Sequence, residues 1–208
     1  MEDVLEVYAR EPDSARPLVC LDEFSKQLLG HVKDPLTMKP GKIARQDDEY
    51  VREGTVSGFM IASPHLGQRE VFVSESGRRT AKDYALAMRH LADEIYPDAE
   101  KIVIVQDNLN THRMDSFYAA FEAPEARRLA ERFEFHFTPK HGSWLNIAEI
   151  EISALNRCCL KERVATVEEF ETETEAYTGK KNAKATPIDW QFTNADARVK
   201  LLSLYPSF

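Results

Sequence analysis

The chain has 208 residues, 43% of them hydrophobic and 10% aromatic, which suits one large globular domain with a real core and excludes a disordered chain. No apolar run approaches the roughly 18–20 residues that span a bilayer, and the acidic start Met1-Glu2-Asp3-Val4-Leu5-Glu6 lacks the basic region of a signal peptide. The net charge of −8 should repel nucleic acid in bulk, although Lys33, Lys39, Lys42 and Arg45, then Arg78 and Arg79, then Lys180, Lys181 and Lys184 concentrate cations locally.

In chain order, Met1 to Ala9 reads as a short helix, with Val4, Leu5 and Tyr8 at helical spacing, before Pro12 and Pro17 break the chain. Leu18 to Leu21 is a strand that ends at Asp22-Glu23, and a polar, basic loop follows through Pro35, Pro40 and Gly41. Thr55 to Ala62 and Gln68 to Ser74 read as hairpin partners joined by Pro64-His65-Leu66-Gly67. Thr80 opens a helix with Tyr84, Met88, Leu91 and Ile95 in one stripe, and Pro97 ends it. Ile102 to Val105 is continuously apolar, as a strand buried on both faces should be. A helix from Ser116 to Arg132, interrupted near Pro124, precedes the alternating strand Phe133 to Phe137. Helices over Ile147 to Arg163, Val167 to Tyr177 and Ala195 to Leu204 complete the plan, with Gly179 to Thr186 as an exposed loop. The first strands form an antiparallel group and the later ones alternate with helices. The expected architecture is α/β: a mixed five-stranded sheet flanked by helices, of ribonuclease H-like type, in one domain over residues 1–208.

Asp22 and Asp107 each follow an apolar run, and Glu149 stands at the start of a helical pattern. Sites in open α/β sheets form at the carboxyl ends of strands. Converging carboxylates there offer the hard oxygen ligands that Mg²⁺ takes. Each position also has an ordinary explanation. An Asp after a strand suits a turn, and Glu149 favours the helix dipole. Glu151 is a rival to Glu149; at ~100° per residue the two lie on opposite faces, and periodicity does not choose between them. Asn108, Asn110 and His112 could support the acids, or Asp-Asn-Leu-Asn could simply turn the chain. The scattered histidines and the cysteines Cys20, Cys158 and Cys159 show no zinc-site spacing. The cysteine usage fits a reduced, cytosolic protein.

The wording around these acids resembles a family. Val105-Gln106-Asp107-Asn108 with His112 is similar to the second catalytic block of mariner-type transposases. Ser143-Trp144-Leu145-Asn146-Ile147-Ala148-Glu149 is similar to the third block, Ser-x-x-Leu-Asn-x-x-Glu, and Leu18 to Glu23 to the first. The stretch from Pro40-Gly41-Lys42 to Thr55 resembles the bacterial insertion-sequence-630 branch. The resemblance selects Glu149 over Glu151. It implies a DDE transposase catalytic domain that cuts and rejoins DNA in an insertion sequence. Asp22, Asp107 and Glu149 would hold Mg²⁺ (or Mn²⁺), with Asn108, His112, Asn146, Lys42 and Arg78 as supporting or DNA-contacting candidates. Its implied partners are transposon ends and target DNA, at a TA dinucleotide, in a homodimer, without a membrane, in bacterial cytoplasm. The chain departs from the pattern in three ways: a longer Asp107–Glu149 interval than in animal mariners, Ile147 where Pro is common, and no helix-turn-helix region ahead of Asp22. The alternatives are a silent, dimerising remnant or another ribonuclease H-like nuclease.

Overall fold

The computed structural model describes residues 1–205. Strands β1 (Leu18–His31), β2 (Tyr50–Ser63), β3 (Gln68–Val73), β4 (Ile102–Gln106) and β5 (Phe133–Phe137) form one sheet in the order β3-β2-β1-β4-β5. The three strands β1 to β3 are antiparallel neighbours, whereas β4 lies parallel to β1 and to β5. This is the expected mixed five-stranded sheet.

The sheet separates two hydrophobic cores, because successive side chains of a strand point to opposite faces. On one face Cys20, Phe24, Leu28, Val103 and Val105 pack against α1 (Glu2–Tyr8), α5 (Ile147–Cys158), α6 (Val167–Asn182) and α7 (Asn194–Lys200). On the other, Val19, Leu21, Ile102 and Ile104 pack against α2 (Ala81–His90), α3 (Asp115–Ala120) and α4 (Ala123–Arg132). Every residue of β4 is buried, as its unbroken apolar run requires. Thr80 caps α2 in a reciprocal box with Asp83, and the helix widens into a π-turn over Leu91–Ile95 before Pro97.

Several boundaries differ from expectation: β2 begins at Tyr50 rather than Thr55, and the last helix stops at Lys200, with a separate 3-10 turn over Leu202–Leu204. The first strand does not stop at Asp22: it runs on to His31, paired with β2, because Phe24 and Leu28 continue its buried face. The basic segment is therefore shorter, and it folds back on itself through the Leu36–Arg45 and Lys39–Lys42 bridges. One extra residue, Glu53, bulges from β2 opposite Leu28 and Leu29, with Gly54 at φ 126° absorbing the distortion. Helix α5 ends at Cys158, not Arg163, since the Lys26 ammonium binds the Leu160 carbonyl and Leu29 N–H donates to Val164 O, drawing the chain alongside β1. Helix α6 passes Tyr177 and takes Gly179 to Asn182 out of the expected loop. There the Asn182 amide donates to Arg69 O at 2.7 Å and accepts from Arg69 N at 2.8 Å, covering the edge strand β3. No helix among the described residues is long and apolar enough to cross a membrane.

Candidate active site

Pairing of β1 with β4 stops at Cys20–Val105, and continuing that register by two residues brings Asp22 level with Asp107. Asp22 lies inside β1, opposite Met60 of β2, at the point where β4 has run out. Asp107 begins the loop after β4. Glu149 is brought to them by α5. Asn146 caps that helix, accepting from Ala148 N at 3.1 Å, and its amide donates to Leu21 O at 3.0 Å. One buried side chain thus fixes the start of α5 against the residue before Asp22. Tyr8 of α1 steadies the same segment by donating to Leu145 O at 2.6 Å.

The electrostatics of Asp22 reflect its acidic surroundings. Burial, then the negative charges of Glu23, Asp107 and Glu149, push the Asp22 pKa up to about 7, against the opposing hydrogen bond from Glu23 N–H. Oε2 of Glu149 is buried without a hydrogen-bond partner among the described residues. A buried, unpaired carboxylate oxygen is costly. Next to a second carboxylate that resists ionisation, it is a donor set of hard oxygens that suits a divalent cation. Glu151, on the opposite side of α5, is used differently. It forms an ion pair with Arg69 at 2.9 Å, both side chains more than nine-tenths buried, and accepts from Tyr177 OH at 3.2 Å.

His112 joins the site from behind. Its Nδ1 is 2.6 Å from Asp107 Oδ1 and its Nε2 2.8 Å from Glu23 Oε2. Glu23, Asp107 and His112 present ligand atoms within 4.8 Å of one another. Nδ1 is hydrogen-bonded to Asp107, whereas Nε2 stands in ion-pair contact with Glu23 Oε2 without hydrogen-bond geometry, so two carboxylates flank the ring. Burial opposes the charge on this imidazole, but Asp107 and Glu23 outweigh it and raise its pKa to about 9.

The remaining predicted residues are dispersed. Asn108 is exposed on the loop, where Leu109 N–H reaches back to Asp107 Oδ1 at 3.4 Å in turn fashion. Lys42 is exposed near the tip of the β1–β2 connection. It belongs to the connection beyond His31, itself roughly 30 Å along the strand from Asp22 at ~3.3 Å per residue. Arg78 is exposed, and its neighbour Arg79 lies 3.4 Å from Glu23 Oε1. Sequence reasoning missed Glu23 as a site residue, along with Arg79, Gln106 and Tyr8. Glu23 directly follows Asp22, and Gln106 is a polar residue closing a buried strand, which are the two signals available.

No curated protein matches the chain in sequence. Among solved structures, the Mos1 strand transfer complex is similar at 12% identity and a TM-score of 0.55, over 88% of this chain and 55% of that one. The Mos1 mariner paired-end complexes with Mn and with Mg follow at 15% and 14% identity, with TM-scores of 0.53 and 0.52, each over 88% of this chain. The chain therefore spans about half the length of those proteins. The likeness at this identity is one of fold, the ribonuclease H-like fold. The sequence profile described as DDE superfamily endonuclease matches residues 17–171, from the start of β1 into α6 and across all three acids, and the chain belongs to that family.

Proposed function

We propose that this chain is the catalytic part of a transposase that cuts and joins DNA strands, of the mariner type and its insertion-sequence-630 branch. Asp22, Asp107 and Glu149 are its cation-holding residues. The observation that carries the reading is the unpaired, buried oxygen of Glu149 beside an Asp22 carboxyl that its neighbours hold near neutral pH. Asp22, Asp107 and Glu149 would hold a divalent cation, Mg²⁺ or Mn²⁺, whose charge would offset theirs. When bound, such ions activate a nucleophile and stabilise the leaving oxygen in phosphoryl transfer. The chain's own work is to hold three oxygens in place: Asp22 on a rigid central strand, Asp107 through His112, and Glu149 through the Asn146 cap. A DNA substrate is supported by the family's endonuclease description and by the Mos1 assemblies named above. A TA target, a homodimer and bacterial cytoplasm belong to the same reading.

The test is nicking of supercoiled plasmid by the purified chain in MnCl₂, MgCl₂ or EDTA. Nicking in either metal, none in EDTA, and loss to background in Asp107→Asn is the expected result. Nicking that persists in EDTA or in Asp107→Asn would overturn it. Mn²⁺ binding without nicking would favour the silent, interacting remnant.

A further inference from the structure

His112 is held more firmly than a core histidine requires. It is 1% exposed, and Tyr84 covers its ring face, with centroids 4.8 Å apart and planes 27° from parallel. Tyr84 OH donates to Gln106 Oε1 at 3.0 Å, and Gln106 Nε2 donates to the carbonyl oxygen of His112 at 3.0 Å. Backbone and ring are therefore both fixed, by α2 and by the last residue of β4. The ring lies between two carboxylates, hydrogen-bonded to Asp107 on one side and in ion-pair contact with Glu23 on the other.

Asp107 needs such a hold. It stands one residue past its strand, and Asn108, Leu109 and Asn110 behind it are exposed, so backbone pairing does not orient its carboxylate. Its Oδ1 is engaged by His112 and by Leu109 N–H. Oδ2 takes no hydrogen bond among the described residues. Glu23 cannot itself share the space of Asp22 and Glu149. Adjacent residues of a strand face opposite sides of the sheet, and Glu23 faces the α2 side while Asp22 faces α5.

We propose that Glu23 and His112 form a positioning pair, in which Glu23 holds the imidazole and the imidazole fixes Asp107 so that its second oxygen is left for a cation shared with Asp22 and Glu149. This rests on the cation-holding reading above. Partners that orient metal ligands from behind typically change metal affinity 10–100-fold when removed.

Calorimetric titration of the metal-free chain with MnCl₂, beside thermal unfolding of each variant, tests the pair. In His112→Gln the amide reaches toward Glu23 and abandons Asp107; in His112→Asn it keeps a donor where Nδ1 stands. We expect His112→Gln to weaken Mn²⁺ binding roughly tenfold or more and His112→Asn to recover most of that loss. Equal losses in the two variants that track their melting temperatures would make His112 merely structural and overturn the proposal. So would wild-type affinity in His112→Gln. Should both His112 variants fail to fold, Glu23→Gln decides: weaker Mn²⁺ binding at an unchanged melting temperature supports the pair, and unchanged binding overturns it. A wild-type chain that binds no Mn²⁺ would remove the cation-holding reading and this inference together. Wild-type binding with indifferent variants would remove only the pair.

Discussion

Asp22 must ionise while half-buried against three other carboxylates, and its proton is held accordingly. Its folded pKa of about 7 lies above its ordinary 3.8. The stability this group contributes is therefore fully present below about pH 3.8 and is lost as pH rises through about 7. His112 acts in the same direction: raised from 6.5 to about 9, it contributes below pH 6.5 and loses that contribution as pH rises through about 9. The metal-free protein should thus weaken steadily from mildly acidic to alkaline pH. Asp22→Asn removes the first of these terms. In urea unfolding with EDTA at pH 8 it should be more stable than wild type, by on the order of a few kcal/mol at most, and the two should converge near pH 4. A variant no more stable at pH 8 would mean that the carboxylates do not repel one another. Asp22 and Asp107 stand out in the sequence because each follows an apolar run, whereas the preference for Glu149 over Glu151 came from the family resemblance and not from periodicity. The contact of His112 with Glu23 was not legible, because it depends on which face of β1 each residue takes and on a loop that returns beneath it.

Helix α5 shows how one element serves structure on one side and chemistry on the other. Glu149 and Glu151 are two residues apart and point about 200° apart. One ends in an unpaired oxygen and the other in a buried ion pair. Glu151→Ala would strand the Arg69 guanidinium in the core between β3 and α6, and should destabilise the fold by about 3–5 kcal/mol. Glu149→Ala relieves an unpaired charge and should leave stability unchanged or raise it, while ending Mn²⁺ binding. Denaturant unfolding of the two variants separates the roles, and equal destabilisation by both would refute the assignment. Periodicity placed the two glutamates on opposite faces but carried no sign of which face met Arg69, a residue far away in the chain. The ends of elements were hidden for a related reason. The reach of β1 to His31, the early stop of α5 and the extra turn of α6 are each set by a partner from elsewhere: β2, the Lys26 ammonium and Arg69.

At the scale of the whole molecule, the sheet is a wall between two cores, and the acids sit among its central strands where β4 ends and β1 goes on. The antiparallel group β1 to β3 is assembled from neighbouring segments, whereas the pairing of β1 with β4 joins Cys20 to Val105 across a long loop. Long-range pairings of this kind are the slow ones to form. We therefore expect the negative charges to meet late, when β4 docks. That ordering gives the boundary between β1 and β4 a kinetic meaning. Repulsion that appears late in assembly does not slow the climb to the barrier; it hastens escape from the native state. Asp22→Asn, in EDTA at pH 8, should therefore slow unfolding while refolding keeps nearly its wild-type rate, as read from the two limbs of a chevron plot. Faster refolding with unchanged unfolding would place β4 in the folding nucleus instead. If the proposed cation site holds, a cation among the three acids would act as a latch on that seam, and its first effect would be to lengthen the time the seam stays shut.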